Sequence, residues 1–115
     1  MTEITIDGRQ VVLRDDIPAA ELWPLIPTVA SVSVGDSVWE RYEWPQAKAA
    51  FIAVVESWEF DGDPTDPAFW DGITDAAFMM DVVMPLILVI HAHLCAILNG
   101  AARAAGEVAK RSTSG

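Results

Sequence analysis

A chain of 115 residues is long enough for one modest core and too short for a deep enclosed catalytic cleft as well. Its hydrophobic share of 52% excludes wholesale disorder, and its formal net charge of −10 argues against nucleic-acid binding, because nothing here could neutralise a run of phosphates. Cys95 is the only cysteine, which rules out an internal disulfide and fits a reducing, cytoplasmic setting.

The N-terminal MTEITIDGRQ is polar and alternating, unlike a signal peptide. Residues 3–14, EITIDGRQVVLR, alternate Ile4 and Ile6 with polar neighbours, turn at Asp7-Gly8 and resume at Val11 to Leu13. Asp-Gly between two such runs predicts a β-hairpin, whose apolar face must lie on helices because an isolated hairpin is marginal. Asp15 or Asp16 is expected to cap a short helix carrying Leu22, Trp23, Leu25 and Ile26, with Pro18 in its first turn and Pro27 as its stop. The segment 28–35, TVASVSVG, reads as a strand or a loop.

Ser37 and Glu40 have the spacing of a capping box, and Pro45 kinks or restarts the helix that follows. From Ala47 the apolar positions Ala50, Phe51, Val54, Val55 and Trp58 keep helical spacing, so one amphipathic helix is predicted through Trp58. Next comes WEFDGDPTDPAFWDG, residues 58–72, rich in aspartate and containing no Lys or Arg. It fails as a calcium loop: counting from Asp61, position 6 holds Asp66 rather than glycine, and position 12 holds Gly72 rather than glutamate. Pro64, Pro67 and Gly62 instead predict a stiff double turn whose aspartates cap nearby amides.

Thr74 is expected to cap a segment with Ala77, Phe78, Met79 and Met80. Pro85 opens or kinks a last helix that ends near Asn99-Gly100. The remainder, AARAAGEVAKRSTSG, reads as a flexible tail or linker. The resulting fold class is α+β: a single, mainly helical domain over 1–99 with an N-terminal hairpin, followed by a 100–115 tail.

Charge is uneven along the chain. Residues 56–81 hold Glu56, Glu59, Asp61, Asp63, Asp66, Asp71, Asp75 and Asp81 without a base, whereas the tail holds Arg103, Lys110 and Arg111 against Glu107. An electronegative surface suits a basic partner. Chemistry is poorly provided for, and neither enzymatic activity, metal nor cofactor is expected. On a helix His91 and His93 point about 200° apart and cannot share a metal, while His91 and Cys95 supply two ligands where structural zinc wants four.

The last helix is more informative, since it is apolar almost all round. Val83, Leu86, Ile87, Ile90, Leu94 and Ile97 form one face, and Leu88, Ala92 and Cys95 lie on another. A domain this small buries one face in its own core, so a second apolar face calls for a partner, and the methionines favour an adaptable one. The face from Val83 to Ile97, together with the aromatic residues Trp58, Phe60 and Trp70, is taken as the candidate partner-binding surface. A membrane span over Val82–Leu98 is disfavoured by its 17-residue length and by Pro85, His91 and His93.

Three phrases in this order, LRDDIPAAELWPLIP after the hairpin, then VVESWEFDGDPTDPAFWDGI, then MPLILVI opening an apolar helix, resemble the small tail assembly chaperones of long-tailed bacteriophages. The resemblance covers about residues 11–98 and is strongest over Val54 to Trp70; the stretch 28–44, with Trp39, Tyr42 and Trp44, matches no part of that pattern. It implies a non-enzymatic protein that forms homo-oligomers, coats the helical tape measure protein and delivers tail tube protein. It further implies a place in the cytoplasm of the infected cell and absence from the mature virion. A frameshifted longer form is known in that family, and the tail after Gly100 would then be its linker.

Two other readings compete. A small acidic inhibitor, in which the eight acids imitate phosphates against a host nucleic-acid enzyme, would bind in a strongly salt-dependent way. A one-span membrane protein would need its last helix to partition into detergent.

Overall fold

The computed structural model describes residues 1–32 and 38–113, the side chains of Trp39 and of residues 101–113 excepted. Strands β1 (Thr2–Ile6) and β2 (Arg9–Leu13) form the expected hairpin, with Ile6 opposite Arg9. Both turn residues have positive φ, 50° at Asp7 and 76° at Gly8, which is the mirror-image turn that Asp-Gly favours.

The hairpin is completed by a third strand, β3 (Val55–Trp58), antiparallel to β2, with Val11 opposite Trp58 and Leu13 opposite Val55. This corrects the predicted helix through Trp58. Val55 and Trp58, three apart, fit helical spacing and share a strand face only through a β-bulge at Glu56, which the pairing fixes: Arg14 N donates to Val54 O at 2.8 Å and Glu59 N to Gln10 O at 3.0 Å, closing β2 at both ends. Without β3, the buried Val11 and Leu13 would sit on an unpaired edge.

Helices α1 (Ala19–Leu22) and α2 (Ile26–Ser31) are joined by a 3-10 turn at Trp23–Leu25. Neither Asp15 nor Asp16 caps α1; the Pro18 carbonyl accepts from the amides of Glu21 and Leu22, both at 2.9 Å. Asp15 is engaged elsewhere, by the N-terminal ammonium at 2.9 Å and the Thr2 hydroxyl at 2.7 Å. Nor does Pro27 stop the helix. It stands in the first turn of α2, where no amide is needed, so residues 28–31 are helical rather than strand or loop, and Val32 turns extended. Residues 33–35, like Ser37 of the proposed capping box, lie outside the described residues.

After α3 (Val38–Arg41), the extended Glu43 and Pro45 restart the chain as α4 (Trp44–Val54), which buries Ala47, Ala50, Phe51, Ala53 and Val54. Asp66 caps α5 (Pro67–Asp71). Asp75, not Thr74, caps α6 (Ala76–Phe78), accepting from Ala77 N at 2.9 Å. The chain then makes a π turn at Met79–Val83 and continues as α7 (Met84–Thr113). The wide turn lies directly before Pro85, whose ring would meet the carbonyl four residues back in a regular helix. Asn99-Gly100 is not the expected stop. The alanine-rich sequence beyond it propagates helix well, and one exposed glycine costs only about 1 kcal/mol against alanine.

The core lies between the inner face of the sheet and helices α2, α4 and α7. Phe51 stacks on Trp70 with ring centroids 4.3 Å apart, and Leu13, Leu25, Val54, Leu86, Ile90 and Leu94 close around them.

Candidate functional site

Of the predicted partner face, Val83, Leu86, Ile87, Ile90 and Leu94 are buried in the chain's own core and Ile97 is half-buried. Helical spacing had grouped them correctly, but this face turns inward against α4 and the neighbouring helices, so it is not the free surface. What remains outside is the opposite stripe. Met80 is 61% exposed and Leu88 45%, with Ala77, Ala92 and Ala96 also exposed and Met84 and Val89 half-buried.

The predicted aromatic residues divide in the same way. Trp70 is buried, its indole N–H donating to Pro64 O at 2.9 Å, so it is a core residue rather than an anchor for a partner. Trp58 is half-buried and donates to Gly62 O at 3.0 Å. It centres a ring cluster, with Phe60 at 5.3 Å, Phe69 at 5.4 Å and Phe78 at 6.1 Å. Gly62, at φ 94°, brings the loop so close to the Phe69 ring that a Cβ would overlap it.

Beside this cluster lies an open groove of about 460 Å³, bounded by the hairpin tip, the exit of β3 and the segment from Ile73 to Val82. Phe60, Phe69 and Phe78 form its apolar wall, and Asp7, Asp61, Asp75 and Asp81 surround it. Arg9 is the one cation among the described residues of the lining. Its guanidinium lies 5.4 Å from the Phe60 ring centroid and donates to Glu59 O at 3.1 Å.

The double turn is stiff for the reasons its sequence implies. Asp63 accepts from the Thr65 hydroxyl at 2.6 Å and the Thr65 amide at 2.9 Å, bonds that hold its carboxyl below the ordinary value. Asp71 accepts from the Trp44 indole at 3.0 Å and from Lys48 at 3.0 Å, which lower its pKa likewise and tie α5 to α4. Among the described residues no three His, Cys, Asp or Glu side chains are grouped to hold a metal ion.

His91 and His93 go to opposite sides, as their angular separation requires. His93 Nε2 donates to Arg14 O at 2.9 Å and so pins α7 to the end of β2. His91 is buried, with Nδ1 2.9 Å from Tyr42 Oη and Nε2 3.5 Å from Cys95 Sγ. Burial lowers the His91 pKa and pushes Tyr42 up to about 12, so both are neutral at pH 7. Tyr42 and His91 share one hydrogen bond through Nδ1, which leaves Nε2 facing the thiol on the same helix.

Sequence reasoning missed the groove because four separate segments build it. It also missed the Trp44–Asp71–Lys48 clasp, which joins residues 23 and 27 positions apart. One helix, Ala76–Gly100, is long and apolar enough to cross a membrane by length and composition, and a third of its most apolar window is buried in the fold. No family model, curated protein or solved structure matches the chain.

Proposed function

We propose that this chain is a non-enzymatic tail assembly chaperone of the long-tailed phage type. In this reading it self-associates and holds the helical tape measure protein, and tail tube protein, in the cytoplasm of the infected cell, and it is left out of the virion. The observation that carries the reading is the outward stripe of Met80, Met84 and Leu88 on a helix whose other face already fills the core. A helical client offers the same kind of surface, and flexible methionines adapt to varied sequence along it. The order of phrases from Leu13 to Ile90 supports the same reading by resemblance.

The acidic-inhibitor alternative has less support. Asp63, Asp66, Asp71 and Asp75 are engaged in turns, caps and the Lys48 pair, so half of the eight acids between 56 and 81 serve the fold itself. The test is to read the nucleotide sequence through and beyond the stop codon. A slippery heptamer near the end, an overlapping shifted frame and then a very long coiled reading frame support the chaperone. A clean stop among unrelated genes removes its genetic basis.

A further inference from the structure

We infer that the acidic, aromatic-walled groove is a docking site for a foreign protein segment that presents Lys or Arg among apolar residues. Its size, about 460 Å³, falls in the range of ligand-binding clefts, and its two kinds of wall ask for one chemistry. The carboxylates of Asp7, Asp61 and Asp81 make no hydrogen bond or ion pair among the described residues, and Asp75 uses one carboxylate oxygen for its cap. Among the described residues Arg9 is the single opposing charge in the lining, and it is already held against Phe60 and Glu59. Among the described residues four carboxylates face one guanidinium, so the field in the groove is net negative, which repels carboxylates and phosphates and attracts cations.

A bare metal ion does not suit the place, since among the described residues no three carboxylates converge. A Lys or Arg side chain does. Its methylene stem packs on half-buried phenyl rings while its charged head reaches the rim, and the ring faces add cation–π attraction. The groove is open rather than closed over, which admits a side chain still attached to its backbone. Ala77 and Asp81, which line it, belong to the same helix run as the exposed Met80, so one bound segment can place a cation in the groove and apolar residues along the stripe. This partner chemistry stands whether or not the client is a tape measure protein.

The experiment titrates the full chain with a synthetic amphipathic Leu-Lys peptide and with its Leu-Glu counterpart, following the fluorescence of Trp58 and the other tryptophans at low and high salt. The comparison protein is Asp61→Asn/Asp81→Asn, which removes two free charges and no structural hydrogen bond. The expected result is saturable binding of the Lys peptide alone, weakened about tenfold in the double variant at low salt, with the two proteins converging as salt rises. Equal affinity of parent and variant, or equal binding of both peptides, overturns the proposal. So does a variant that binds the Lys peptide as the parent does but changes native mass, because the occupant would then be a second copy of the chain.

Discussion

Replacing Ile90 with alanine separates a core residue from an interface residue. Ile90 is fully buried in the monomer, on the face that α7 turns to the core, whereas Leu88, two positions earlier, is 45% exposed. Ile90→Ala deletes three carbons, worth about 2.4 kcal/mol of transfer, and the cavity left in a close-packed interior raises the cost to about 3–4 kcal/mol. A domain of this size has about 5–15 kcal/mol to lose, so the urea midpoint should fall by roughly 2 M and the melting temperature by about 10–20 °C. Leu88→Ala should stay within about 0.5 kcal/mol. Urea unfolding followed by tryptophan fluorescence, repeated over a range of protein concentrations, reads both effects. An Ile90→Ala loss below about 1 kcal/mol, or one that vanishes at high concentration as an interface defect would, refutes the assignment of this face to the core.

His91 predicts a pH dependence. Its folded pKa lies below the ordinary 6.5, so its contribution is fully present above that value and is lost as pH falls through the folded value; the urea midpoint should fall as the pH is lowered below about 6.5, and His91→Gln should flatten that slope. Asp63 and Asp71 act in a separate window, because carboxyls held below 3.8 lose their contribution only at more acid pH. Gly62→Ala forces a side chain into positive φ against the Phe69 ring and should cost about 1–3 kcal/mol in thermal unfolding, while Gly8→Asn, in open space at a turn asparagine accepts, should cost little. Calcium should leave the melting temperature unchanged, since Asp63, Asp66 and Asp71 are spent on amides, a hydroxyl and Lys48 and, among the described residues, no three His, Cys, Asp or Glu side chains are grouped to hold a metal ion; a saturable rise would contradict that assignment.

The parts legible in the amino-acid sequence were those set by neighbours in the chain. Asp7-Gly8 announces its turn because few residue pairs accept two positive φ angles, and Val83 to Leu94 announce a shared face through helical spacing. Spacing alone does not say what covers a face, and the stripe of Met80 and Leu88 emerges as the free one only when α4 and the neighbouring helices are seen to occupy the other side. The switch from helix to strand at Val55 was hidden for a related reason. Val55 and Trp58 keep helical spacing and break strand alternation, and the bulge that puts both on one strand face depends on Val11 and Leu13, more than forty positions away. Pro27 carries the ordinary signal of a break, yet it occupies a first turn that tolerates it. The groove required Asp7, Asp61, Asp75 and Asp81 to be brought together from three regions of the chain, which no local pattern encodes.

The most direct test of the chaperone account is the solubility of a tape measure fragment co-expressed with this chain or with its Met80→Asp/Leu88→Asp variant. Both substitutions fall on the exposed stripe, so the variant should fold with parental circular dichroism and unfolding midpoint. The account predicts that the parent keeps the fragment soluble and that the variant lets it aggregate. A fragment that stays soluble equally with both, or aggregates equally with both, would contradict it.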